Sequence, residues 1–198
     1  MPYKQMSCAH VIGLLAEILY KKNYIMNIQD TLSTFPEYAK DIKLNYSKIV
    51  NENILNQQQL YGTILVSSLA TKMEDLTKAA LNEAKENIDP LYIDDIFGAY
   101  SLMSMNAIYY RFTHLAKDNS YSTMPANLRM QYMNKHKISK PDFEMLCLAV
   151  AIIMGCGKCI NAHEEVLKES NIPTQSIQAV ARIASIMNAV ANIMRVVK

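Results

Sequence analysis

The chain has no tryptophan, five glycines, six prolines and four cysteines in 198 residues. Runs of alternating Val, Thr and Tyr are also missing, so sandwich and barrel folds lose their usual signature. Four cysteines (Cys8, Cys147, Cys156 and Cys159) are too few for a secreted disulfide scaffold of this length. Neither sign of charge dominates, since 20 Lys and Arg face 18 Asp and Glu. That balance leaves no footprint for nucleic acid. The basic residues are scattered, and the one local cluster, Lys135 to Lys140, reads as a solvated loop. Long hydrophobic runs are absent near the start: Val11 to Leu19 is interrupted by Glu17 and is far too short to span a bilayer. No small-x-small cleavage site follows it, and Lys21 and Lys22 come next, so a short amphipathic helix is expected there instead. Residues 1–25 are therefore expected to form an extension, with Met26 a possible natural start.

Half the residues, 51%, are hydrophobic, enough for one sizeable core. Apolar positions recur at three and four, as in Leu60, Ile64, Leu65 and Leu69, then Leu76, Ala79 and Ala80. That is helical spacing, and the expected fold class is all-α. Breaks are expected at Phe35-Pro36, Asp89-Pro90, Ser120 to Pro125, Lys140-Pro141 and Ile172-Pro173, because proline disfavours helix in the residue before it. Ser139-Lys140-Pro141-Asp142 has the form of a helix start, and Ser33 to Glu37 reads the same way.

One short segment concentrates the chemistry. Cys156, Cys159 and His163 form C-x-x-C-x-x-x-H, flanked by Gly155 and Gly157. In front lies the apolar run Phe143 to Met154, whose only carboxylate is Glu144. Gly155 is expected to close one helix and a second to begin near Lys158. Unpaired N–H groups and the helix dipole at that start favour a thiolate. Three positions bring the two sulfurs to one side, within reach of a disulfide. His163 lies one turn beyond Cys159 and can take its proton, directly or through a water. If the two helices pack antiparallel, Glu144 can meet His163 and hold its tautomer.

Other readings compete. A structural zinc needs four ligands, and the fourth would have to be Cys147, Cys8 or Glu144. No second C-x-x-C exists, which weakens that case. A c-type haem needs His directly after the second cysteine, where Ile160 stands. His114 reads as a core or subunit contact; His10 and His136 read as solvent-exposed.

There is also a faint repeat. Met105-Asn106-Ala107 matches Met187-Asn188-Ala189, which lays Leu60 to Tyr110 over Asp142 to Asn192. In that register Gly62, Glu74, Thr77 and Leu81 stand opposite Glu144, Cys156, Cys159 and His163. The expectation is a duplicated unit with one chemical copy, a degenerate half over about 26–125 and a catalytic half over about 126–198. Chance likeness between two amphipathic stretches is the competing explanation.

At these residues the chain resembles the AhpD family of alkyl hydroperoxidases, within the wider carboxymuconolactone-decarboxylase-like group. Glu144, Cys156, Cys159 and His163 reproduce its E-x(11)-C-x-x-C-x-x-x-H motif at every spacing. Pro36 to Asn45, Gln59 to Thr63 and Leu128 to Met130 are similar to segments of that family. The resemblance implies an all-helical duplicated fold, a homotrimer and a cytoplasmic thiol peroxidase and disulfide reductase with no tightly bound cofactor. It implies that Cys159 reacts with the oxidised substrate, Cys156 resolves it, and Glu144 and His163 relay protons. It further implies the peroxiredoxin AhpC as disulfide substrate. The implied electron source is dihydrolipoamide on a lipoyl-bearing acyltransferase, recharged by dihydrolipoyl dehydrogenase. Ring-opening or decarboxylase chemistry of the wider group is an alternative that the intact dithiol argues against; a zinc-stapled helical module is another. One position departs: some members carry His just before the second cysteine, where this chain has Lys158. An ammonium there favours a thiolate but is a poor proton shuttle at neutral pH, so peroxide turnover is expected to be weaker than disulfide reduction.

Overall fold

The computed structural model describes residues 27–197, and among these it contains helices and no strands. The expected N-terminal extension, with Cys8, His10 and the possible start at Met26, lies outside the described residues. The helices run α1 (Ile28–Ser33), α2 (Lys40–Asn51), α3 (Gln57–Thr71), α4 (Glu74–Asn87), α5 (Pro90–Leu115), α6 (Ser120–Thr123), α7 (Lys140–Met154), α8 (Gly157–Glu169) and α9 (Thr174–Val196). Short 3-10 turns at Glu37–Ala39 and Gln131–Asn134 complete the set. The fold is all-α, as the periodicity requires.

The starts are written into side chains. Asn27 and Asn56 cap α1 and α3 in capping boxes with Asp30 and Gln59. Asp89 caps α5, with Pro90 in its first position. Ser139 caps α7, its Oγ accepting from the Asp142 N–H. The Ser33 to Glu37 start differs from the expectation. Pro36 stays outside, a 3-10 turn follows it, and the α-helix begins only at Lys40. Two breaks without proline or glycine turn through left-handed residues instead. They fall around Asn53 (φ 54°) and at Lys72 (φ 58°), whose left-handed backbones end α2 and α3.

Helix α7 is the centre. Its residues from Phe143 through Ala151 are all buried, because α3, α5, α8 and α9 pack around it. A helix apolar on every side belongs in such a position. Helix α9 is long and apolar enough by composition to cross a bilayer, yet half of its apolar window is packed inside the protein against α2, α3 and α7. A buried core helix passes the same compositional test.

The triplet α3–α4–α5 recurs as α7–α8–α9, with each helix of the second starting 83 or 84 residues after its counterpart. The caps fix this register: Asn56 corresponds to Ser139, Met73 to Cys156 and Lys72 to Gly155. The Met-Asn-Ala match gives 82 and is out by one residue over the first two helices. Tyr61, Met73, Leu76 and Ala80, rather than Gly62, Glu74, Thr77 and Leu81, therefore stand opposite Glu144, Cys156, Cys159 and His163. Two arginines follow the same spacing. Arg111 of α5 donates to the Met154 carbonyl at the end of α7 (2.6 Å), and Arg195 of α9 donates to the Thr71 carbonyl at the end of α3. Each triplet's last helix thus caps the other triplet's first.

Candidate active site

The turn between α7 and α8 places the dithiol. Gly155 takes the left-handed conformation, φ 68°, that stops α7. Its N–H bonds back to the Ile152 carbonyl (3.1 Å) and the Cys156 N–H to the Ala151 carbonyl (3.0 Å), a Schellman closure. Cys156 is then the N-cap of α8, and its sulfur accepts from the Cys159 N–H at 3.3 Å. Cys156 and Cys159 form a disulfide with Cα atoms 5.3 Å apart. Both sulfurs lie at the positive end of the α8 dipole.

Glu144 sits in the first half of α7 and His163 one turn past Cys159 on α8. The antiparallel packing brings His163 Nδ1 and Glu144 Oε2 to 2.6 Å, both side chains nearly buried. With Nδ1 engaged, Nε2 is the nitrogen left for other work. His163 and Cys159 share the wall of a cavity of about 220 Å³. Cys156, by contrast, is wholly buried. Cys147 is wholly buried as well, and burial, followed by the neighbouring Glu144, pushes its thiol up, as for an inert core cysteine. Among the described residues no group of three His, Cys, Asp or Glu side chains is placed to hold a metal ion.

The rest of the cavity wall comes from residues that spacing did not single out. Met103, Asn106 and Tyr110 of α5 line it, with Met130 and Met133 beside the second 3-10 turn. The first triplet, expected to carry none of the four motif residues, supplies one side of the site. Lys158 also lines the cavity, its Nζ standing 5.4 Å over the Tyr110 ring. The same lysine borders a second, polar cleft with His114 and Asn161.

Asp95 holds the Met130–Met133 wall in place. This fully buried residue of α5 accepts from Tyr132 Oη (2.8 Å), the Lys137 N–H (2.7 Å) and the Ile138 N–H (2.9 Å). The Tyr132 phenol is pushed up to about 12, by burial first and then by Asp95. Gly98 makes room for that ring: a Cβ there would meet Tyr132 Cε1 at 2.1 Å. His136 is not solvent-exposed as expected. It is half-buried and stacks on Phe143 with ring centroids 4.3 Å apart, its Nδ1 2.9 Å from the Ile138 oxygen. His114 is exposed and takes no part in the core.

The carboxymuconolactone decarboxylase family matches residues 121–198. An alkyl hydroperoxide reductase AhpD of Acidobacterium capsulatum is 44% identical over 170 residues, which is 85% of this chain and 93% of its own. This chain belongs to the AhpD family. Further AhpD relatives are those of Brucella suis, 43% identical over 84% of this chain and 95% of its own, and Koribacter versatilis, 41% identical over 84% and 86%. The match to the wider group begins after α5 ends. Met103, Asn106 and Tyr110, the α5 side of the cavity, precede the residues that this family matches.

Proposed function

We propose that this chain is an alkyl hydroperoxide reductase working through the Cys156–Cys159 dithiol. The observation that carries the reading is the asymmetry of the pair. Cys159 opens onto an apolar cavity beside a carboxylate-held imidazole, whereas Cys156 is sealed behind it. In the reduced protein the Cys159 thiolate attacks the terminal oxygen of a hydroperoxide. An S–O bond forms, the O–O bond breaks, and the departing alkoxide takes a proton delivered through His163, whose Nδ1–H is held by Glu144. Cys156 sulfur then attacks the Cys159 sulfenic acid, water leaves, and the disulfide closes. No direct hydrogen bond links Cys159 and His163 in the disulfide form, so the proton passes through a water or the substrate itself.

Dihydrolipoamide reopens the disulfide by exchange, and the same dithiol reduces the disulfide of AhpC. A lipoyl-bearing acyltransferase and dihydrolipoyl dehydrogenase supply the electrons, in the reducing cytoplasm. Lys158 favours the thiolate without shuttling protons, which biases the site towards disulfide reduction. Assembly as a homotrimer is supported by an exposed stripe on α5, where Phe97, Ile108, Phe112 and Leu115 face outward at helical spacing. The first triplet is a degenerate copy that retains a structural role.

The test is a thiol titration of reduced protein before and after an alkyl hydroperoxide, then after dihydrolipoamide. Two thiols should disappear and return; no loss on peroxide treatment sinks the reading. Cys156→Ser should trap a mixed disulfide through Cys159. A trap that forms instead in Cys159→Ser would exchange the two roles.

A further inference from the structure

Among the described residues, Lys158 alone belongs to the walls of both the Cys159 cavity and the polar cleft beside it. The first, of about 220 Å³, is largely apolar and holds the sulfur and His163. The second, of about 300 Å³, is lined by Thr113, His114, Asn119, Ser122 and Asn161 as well, all polar. Neither wall includes an Asp or a Glu, so Lys158 brings the one fixed charge to each. Lys158 is half-buried, and its ammonium stands 5.4 Å over the Tyr110 ring. Among the described residues it has no carboxylate partner and no hydrogen-bond acceptor. An ammonium carries three donors, which here are available to a ligand. The Thr113 and Ser122 hydroxyls donate to the Tyr110 and Asn119 carbonyls, at 3.1 and 2.7 Å. The His114 ring and the Asn161 amide make no such bond among the described residues, and they add further donors. Asp118, beside Asn119 in sequence, turns its carboxylate to the Ser120 N–H (2.9 Å).

We propose that the polar cleft is an anion subsite of the active site, and that the hydroperoxide it selects carries a carboxylate. The inference rests on the peroxidase reading and names its substrate class. The apolar body of such a substrate lies among Met103, Met130 and Met133, with the peroxide at Cys159. Its carboxylate lies on the far side of Lys158, where the ammonium, His114 and Asn161 donate to it. Lys158 and Cys159 are consecutive, so a short spacer separates peroxide from acid. A neutral hydroperoxide fills one cavity; an acidic one fills both. The carboxylate takes no part in the electron transfer. The thiolate still supplies the electron pair that breaks the O–O bond, and the alcohol leaves with its acid group intact. A lysine that acted only on the thiolate would speed neutral and acidic hydroperoxides alike, whereas this arrangement separates them.

The experiment compares cumene hydroperoxide with its para-carboxylate, two substrates with the same peroxide carbon. Reduced full-length protein is oxidised by each in single turnover, and each second-order rate is divided by that of free dithiothreitol. A partly exposed charge pair is worth up to about fivefold, so wild type should favour the carboxylate by about that factor at low salt. The preference should fade as salt is raised to about 0.5 M, where exposed charges are screened. Asn161→Asp puts a carboxylate into the cleft and should abolish or invert the preference. Lys158→Gln supplies a second variant should the first not fold. Both rates fall there, because the thiolate loses its ammonium, and the carboxylate's should fall further. A wild-type preference under about twofold, well within the spread of exposed pairs, overturns the proposal. So does an equal loss of both rates in Lys158→Gln, or an unchanged preference in Asn161→Asp. Equal wild-type rates with the two hydroperoxides remove the inference alone. A wild-type dithiol that ignores both, yet reacts with dithiodipyridine, removes the peroxidase reading and this inference with it.

Discussion

Replacing Asp95 should separate the architecture of the cavity wall from its chemistry. In Asp95→Ala three hydrogen bonds vanish together, two from backbone N–H groups and one from Tyr132. Each is worth roughly 1 kcal/mol net, more where the donors left behind are shielded, so the loss comes to about 3–5 kcal/mol. In a domain of this size each kcal/mol moves the melting temperature by roughly 2–4 °C, which predicts a fall of about 6–20 °C. Asp95→Asn should behave differently. Oδ2 receives both backbone bonds, so the amide oxygen can take that place, while the amide nitrogen meets a Tyr132 hydroxyl able to turn and accept. The expected cost is about 1 kcal/mol. The assays are thermal unfolding and the KM for a bulky hydroperoxide, which should rise in Asp95→Ala because Met130 and Met133 lose their anchor. Modification of Cys159 by a small thiol reagent should be kept or quickened. A fall under about 2 °C in the alanine variant, or equal damage from alanine and asparagine, would refute the idea that this carboxyl group braces the wall.

Other outcomes follow from single positions. Gly155→Ala should cost about 1 kcal/mol through its positive φ, since the nearest side-chain atom, Arg111 Nη1, is 4.0 Å from the new Cβ; an unchanged melting temperature would contradict this. Glu83 ties three elements together, accepting from the Ile28 N–H (2.7 Å) and Tyr46 Oη (3.2 Å), and burial holds its carboxyl above the usual glutamate value of 4.5. The folded state therefore takes up this proton first as pH falls, and Glu83's contribution is fully present below about pH 4.5 and lost as pH rises through the folded value. Wild type should gain stability relative to Glu83→Gln on acidification from pH 7.5; parallel pH responses in melting experiments would refute it.

The dithiol, His163 and Glu144 were legible because their arrangement is local. One glycine turn joins two helices, and helical spacing then fixes which faces meet. The far wall was not, because Asn106 and Tyr110 arrive from another helix and Met130 and Met133 from a single short 3-10 turn and its edge, too short for any periodicity to show. Asp95 offered a signal of the kind that exposed Glu144, an acid within the apolar stretch Tyr92 to Phe97, with mid-helix Gly98 close behind. Asp94 beside it blurred that signal, since two adjacent acids read equally well as a solvated edge. Lys72 gave no hint of ending α3, because lysine carries no preference for a left-handed backbone. His136 was misplaced because its burial depends on the ring of Phe143, a tertiary contact between loop and helix.

The crossed arginines change what the repeat means. If each triplet closed its own helix ends, the chain would be two modules in tandem, separable at the loop near residue 125. Instead Arg111 finishes α7 and Arg195 finishes α3, so each half lacks a piece that the other holds. A cut between them severs the sequence without finding a seam in the core. The half without the dithiol is consequently no bystander. It closes α7, the helix that leads into the turn bearing Cys156, and mutations that loosen it will be felt first as chemistry.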